Sequence, residues 1–399
     1  MRYSTTSNHL LAVTTLVVGG SMMINPYLIL GLSHTLMTAT EASGIFLIAL
    51  LLGSAAAYLL ATRVSPADMP KCLLLTMAGL AMAMFGLASV AAFPREVAVT
   101  LAAGCLIAYR FSNAASMVLS RYLHVATNSE ASDIAPLFAR VGAVTGIATA
   151  IGPAIGGFVL ETSGFESLAL ITGAVFACAL LPLIQVCRTT QSNLHTGSRS
   201  CDSIGNAAPS SSDMIGALLT WGLIGQSFSF VPLLLGGRMH SSWIPEFFTW
   251  KALIIAGASG PVLGLLRRFS PLSDEVHLGG SIVLITVSLM LLATGADDRS
   301  NFMLVITLFG LGESVFQPLL IERVRLRVGP AYAAGAISRI SLMSLALGAG
   351  VGQYVGTLAF EALPPKLTAM FFMACGIAAT LCFILAPARR TAPIKKASS

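Results

Sequence analysis

Apolar residues recur in this chain as long, nearly unbroken runs rather than as the stripe of a surface helix or the alternation of a half-buried strand. Twelve such runs can be marked, at residues 10–33, 41–62, 72–93, 98–120, 136–160, 167–187, 214–236, 244–266, 277–295, 301–322, 333–359 and 367–387. A helix needs about 20 apolar residues to cross the hydrocarbon core of a bilayer, and a soluble domain has no use for so many. The chain is 55% hydrophobic and 10% charged, with a mean hydropathy of +0.83. The expected fold class is therefore an all-α membrane protein with twelve transmembrane helices, and length alone says nothing here about domain number.

The net charge of +6 invites a nucleic-acid reading, but the placement of the charges argues against one. With the N-terminus inside, the internal segments carry Arg2, Arg63, Lys71, Arg121, Arg140, Arg188, Arg199, Arg267, Arg268, Arg323, Arg325, Arg327, Arg339, Arg389, Arg390, Lys395 and Lys396. The external segments carry only Arg95, Arg238, Arg299 and Lys366, and Arg110 and Lys251 remain within runs. Such a bias places both termini in the cytoplasm. The basic balance then means orientation and contact with anionic lipid, with a bilayer and not a nucleic acid as partner. The first run follows Arg2 like a signal peptide, but it is too long and is followed by further runs, so it reads as a retained helix. The seven cysteines form no CxxC pair; most lie in runs and read as reduced packing residues.

Residues 188–213 interrupt the pattern with a Ser/Gly-rich polar stretch that reads as a cytoplasmic linker. The expected organisation is an N-terminal bundle at 1–187, the linker at 188–213, a C-terminal bundle at 214–387 and a cytoplasmic tail at 388–399. The halves echo one another. Pro26 matches Pro232 in the first helix of each half, Arg63-Val-Ser-Pro66 matches Arg268-Phe-Ser-Pro271, and Arg140 and Arg339 open the fifth and eleventh helices. This order suggests a duplicated six-helix unit.

The fifth run contains Gly152-Pro153-Ala154-Ile155-Gly156-Gly157. Within a bilayer Pro can kink a helix, and small residues admit a neighbouring helix. The six residues resemble the GPxxGG motif of the drug:proton antiporters of the major facilitator superfamily, and six helices, a linker and six helices resemble that family throughout. The resemblance implies two six-helix pseudo-repeat bundles, alternating access and helices 1, 4, 7 and 10 around a central path. The family's GxxxDRxGRR loop is reduced here to Arg63, with Thr62 in place of its acidic residue, and Asp68 and Asp274 are the acids that can substitute.

A charge at the bilayer centre costs at least a few kcal/mol and marks a functional candidate. Arg110 and Glu313 each lie 12 residues into their runs, about 18 Å deep at 1.5 Å per residue. Arg110 partly fits the helix 4 motif RxxxGxxxA, with Ala114 in place of the glycine; the resemblance associates that arginine with proton coupling. Desolvation favours a neutral carboxylate and a nearby guanidinium a charged one, an opposition suited to loading and releasing a proton. A static Arg110–Glu313 pair that fixes packing is the alternative. Lys251, after Trp250, is either a snorkelling lysine beside an interfacial aromatic or a cation for an anionic substrate. Trp221, Gln226, Gln317 and Asn25 can add stacking and hydrogen bonds, or serve as helix glue.

Enzyme readings find no motif. There is no GxxxxGK[ST] loop, HExxH or GxSxG, and no cofactor or metal is expected. The reading is a bacterial inner-membrane, proton-coupled transporter acting as a monomer. Its task is export of a small amphipathic organic molecule, a drug-like compound or a secreted metabolite or siderophore. The alternative is import of an anionic small molecule such as a carboxylate siderophore.

Overall fold

A computed structural model describes residues 5–64, 68–126, 135–193, 210–238, 242–269, 273–295, 298–328, 340 and 344–385. Among them all regular structure is helical: α1 (Thr5–Ile24), α2 (Leu28–Thr35), α3 (Ala39–Arg63), α4 (Met69–Ala88), α5 (Arg95–Ala126), α6 (Ala135–Asn193), α7 (Ser211–Gly225), α8 (Phe230–Arg238), α9 (Trp243–Phe269), α10 (Asp274–Gly295), α11 (Arg299–Val328), α12 (Gly350–Ala362) and α13 (Pro365–Ile384). Nine segments among the described residues are long and apolar enough to cross a membrane, and one of them, the 45-residue stretch Val144–Arg188, takes in most of the fifth predicted run and all of the sixth. Helix α9 accounts for the eighth run. The π-helical turn Ser344–Ala349 together with α12 covers the end of the eleventh.

Local sequence explains the helix ends and breaks. Thr38 caps α3 by accepting the Glu41 N–H at 3.2 Å, while Glu41 accepts the Thr38 N–H at 2.8 Å, so two donors at the helix start are satisfied reciprocally. Inside α6, Gly164 adopts φ 80°, a region open to glycine without strain. There α6 divides into two membrane helices with almost no connecting loop.

The first helix of each half is interrupted. Asn25–Tyr27 forms a single 3-10 turn between α1 and α2, and Gln226–Phe228 forms one between α7 and α8. Pro26 explains the first break. The second break has no proline, and it falls six residues before Pro232. The internal repeat therefore aligns Asn25 with Gln226, not Pro26 with Pro232 as the sequence match had it.

The chain forms two compact units. One comprises residues 1–198, 226–256 and 353–362, and the other comprises 199–225, 257–352 and 363–399. In the first, α1 and α4 pack along α6, and α3 and α4 pack along α5. Residues 226–256 and 353–362 of the later helices join it: the Asn25–Tyr27 and Gln226–Phe228 turns touch, and α2 touches α8. In the second, α10 packs on α11 and α13, and α7 packs on α13 and on the π-helical turn. Large apolar side chains such as Phe158, Leu75 and Met82 remain outside both cores, as expected of a surface solvated by lipid.

Candidate functional site

The Gly152–Gly157 segment is the seat of the helix 1 break. Gly152, Pro153, Gly156 and Gly157 are buried, while Ala154 and Ile155 between them are exposed. A Cβ on Gly152 would lie 2.9 Å from the Gly19 carbonyl oxygen. On Gly156 it would overlap the Met23 carbonyl oxygen and lie 2.9 Å from the carbonyl carbon. On Gly157 it would lie 2.8 Å from the Tyr27 hydroxyl oxygen and 3.0 Å from Pro245 Cγ. The missing side chains let α1 rest directly on the α6 backbone. Tyr27 closes the seat: its hydroxyl donates to the Pro153 carbonyl at 2.7 Å. From α9, the Thr249 hydroxyl donates to the Ala150 carbonyl at 2.9 Å. Helices from both halves of the sequence thus grip one stretch of α6, on either side of the proline.

Arg110 lies at the middle of α5, and Glu313 at the middle of α11. They belong to different compact units, and each has its own surroundings. Arg110 is 8% exposed. Its guanidinium carbon lies 3.7 Å from the centroid of the Phe46 ring and 5.3 Å from that of Tyr109, a desolvated cation–π arrangement worth about 2 kcal/mol. Neighbouring polar groups are engaged with one another. Tyr109 donates to Asn25 Oδ1 at 2.9 Å, and Ser21 donates to Asn113 Oδ1 at 3.1 Å. Glu313 is buried on α11, with the Gln317 amide 3.5 Å from its Oε1.

Trp250 and Lys251, adjacent in sequence, part company. Trp250 is 45% exposed, whereas Lys251 is 4% exposed, so the lysine is drawn into the protein and does not snorkel. Its ammonium lies 5.4–5.9 Å from the ring centroids of Phe228, Phe247 and Phe248, and 3.5 Å from the Ser227 hydroxyl. Ser227 and Phe228 belong to the 3-10 turn, so that break helps to form the aromatic box. Gln226 begins the same turn, is buried, and packs against the bare face of Gly356. Trp221 is half-buried in the second unit, its Cβ close to Gly348.

The remaining expected residues divide simply. Arg63 and Arg268 are exposed at helix ends, and Asp68 lies 3.7 Å from Lys71 on the next turn. The fifth helix begins at Ala135, so Arg140 lies in its second turn and does not open it as expected; its side chain lies outside the described residues, as do Arg339 and residues 194–209 of the linker. A charge cluster escaped the sequence reading. Arg323 Nε donates to Asp213 Oδ1 at 2.6 Å and to the Phe383 carbonyl through NH2 at 3.3 Å, and its NH1 lies 3.3 Å from Glu275. Arg327 donates to Asp213 Oδ2 at 2.7 Å. Asp213, a lone acid just before the seventh run, was the available signal.

A many-helix membrane protein with a paired interruption in the first helix of each half has a feature met in secondary transporters. The comparisons agree. The family model described as Major Facilitator Superfamily matches residues 10–353, and the chain belongs to that superfamily of membrane transporters, not to an enzyme family. A POT family transporter solved in complex with 5-aminolevulinic acid superposes with a TM-score of 0.73 at 11% identity, covering 95% of this chain and 94% of that one. The nucleoside transporter NupG does so with 0.67 at 16% identity, covering 95% and 98%. At such identities the likeness is one of fold. A segment equal to 29% of this chain is also 33% identical over 125 residues to fluoride-specific ion channel FluC 1 of Leifsonia xyli subsp. xyli (strain CTCB07), covering 90% of that protein.

Proposed function

We propose that this chain is a proton-coupled antiporter of the bacterial inner membrane, with both termini in the cytoplasm. It acts as a monomer and exports a small amphipathic organic molecule, a drug-like compound or a secreted metabolite. The observation that carries the reading is the glycine seat on α6. The segment resembles the antiporter motif, and its glycines receive the helix 1 backbone while Tyr27 and Thr249 hold carbonyls beside the proline. Such a contact fixes one arrangement of helices 1, 5 and 8 and is released as a whole when they rock. The buried carboxylate of Glu313 supplies a titratable group at mid-membrane, and Lys251 and Gln226 line the helix 7 break. The basic bias of the predicted cytoplasmic segments supports the orientation.

Export is tested by comparing small molecules in cells and medium, with and without expression of the chain. The reading expects at least one amphipathic compound to leave the cells and collect in the medium. A compound that instead collects in the cells on expression identifies an importer.

A further inference from the structure

We infer that Arg110 is the anchor for an oxyanion on the transported molecule, which makes the substrate an amphipathic organic monoanion, foremost a carboxylate with an aromatic or apolar body. The inference rests on the transport reading and adds the charge of the cargo. Among the described residues Arg110 has neither an ion-pair partner nor a hydrogen bond, its Nε included, although it is more than nine-tenths buried. Moving a cation of this size out of water is costly. The Phe46 face returns only part of that cost, and stacking uses the face of the guanidinium while leaving its edge of N–H donors unused. The polar side chains nearby do not take up those donors: Asn25 accepts from Tyr109, and Asn113 from Ser21. A planar fork of donors with its back against a ring fits two oxygens of a carboxylate in its own plane.

The contrast within the same chain is informative. Arg323 is as deeply buried, and it meets two carboxylates and a backbone carbonyl. Where this protein uses a buried arginine as a structural fastening, it neutralises it. Arg110, at the centre of a membrane helix beside the helix 1 break, has been left its charge and its hydrogen-bonding edge. One guanidinium suits a monoanion, and Phe46 and Tyr109, themselves fully buried, hold it from behind.

The test uses the full chain purified in detergent. Benzoate and indole-3-acetate are titrated by calorimetry beside benzamide and indole-3-acetamide, which match their shape without charge. The acids should bind at least about tenfold more tightly than the amides, the discrimination expected of a charge-assisted hydrogen-bonded pair. Arg110→Gln should abolish the preference, and Phe46→Leu, which removes the stacked ring and leaves every charge in place, should reduce it. Equal binding of acids and amides by the wild type overturns the assignment without recourse to any variant. So does a preference that survives in Arg110→Gln, or failure of both acids to bind at the highest soluble concentration. If the protein moves an uncharged or cationic compound in response to a pH gradient and shows no acid preference, only the monoanion is refuted. Acid binding with no gradient-driven movement of any compound refutes transport and leaves the anion site standing.

Discussion

Replacing Gly156 with alanine adds one methyl group at the closest approach of helices 1 and 5. The new carbon would lie 2.9 Å from the Met23 carbonyl carbon and 3.0 Å from Tyr27 Cε2, and it would overlap the Met23 oxygen. Unstrained carbon contacts sit at about 3.5–4.0 Å. Met23 is met through its backbone, so no side-chain rotation relieves the overlap, and the helices must part. Overpacking of this kind costs about 1–3 kcal/mol, roughly a five- to 150-fold shift in the equilibrium between seated and unseated helices. Gly104→Ala is the control: it is also on a membrane helix, but nothing lies within 4 Å of its added Cβ, and alanine gains about 1 kcal/mol of helix propensity over glycine. Thermal denaturation of the purified protein should show Gly156→Ala melting about 1–4 °C lower than wild type and Gly104→Ala no lower. Transport should fall in the first variant and persist in the second. Equal melting and equal transport in the two variants would refute the seat.

Tyr27→Phe deletes the bond to the Pro153 carbonyl while keeping the ring, and should lower stability by about 1 kcal/mol in a chemical-denaturation series, with a larger loss when combined with Thr249→Val than either change predicts alone. Asp213→Asn strips the shared carboxylate from Arg323 and Arg327. Leaving buried guanidinium groups without it should cost about 3 kcal/mol or more and reduce the yield of monodisperse protein, and adding Arg323→Met should recover much of that yield. Tags at residue 200 and at the C-terminus should report the cytoplasm and a tag at Asp298 the outside; an external signal at residue 200 would overturn the charge-bias argument.

Helix existence was legible because lipid demands long apolar runs, and nearly every run became a helix. The glycine seat was legible for a related reason: glycines beside a proline have few uses in a membrane helix other than a kink and a close approach. What helix 1 brings to that seat was not legible, since Tyr27 and Pro153 are 126 residues apart and neither advertises the other. The same distance in sequence hid the pairing of Asp213 with Arg323, 110 residues on. Pro26 announced the first helix break, but the matching break at Gln226–Phe228 has no proline, so the repeat was aligned on the wrong residue. Lys251 shows the limit of reading neighbours together. One step along a helix turns a side chain by about 100°, enough to send Trp250 to the surface and Lys251 into a box of phenylalanines.

Purified protein in proteoliposomes free of nucleotide tests the central claim most directly. An imposed pH gradient should move the exported compound up its own concentration gradient, against the flow of protons, and collapse of the gradient by an ionophore should stop it. Glu313→Gln, whose amide cannot titrate, should retain binding and lose the response to the gradient. Movement that ignores the pH gradient in wild type, or that responds to it undiminished in Glu313→Gln, would contradict the account.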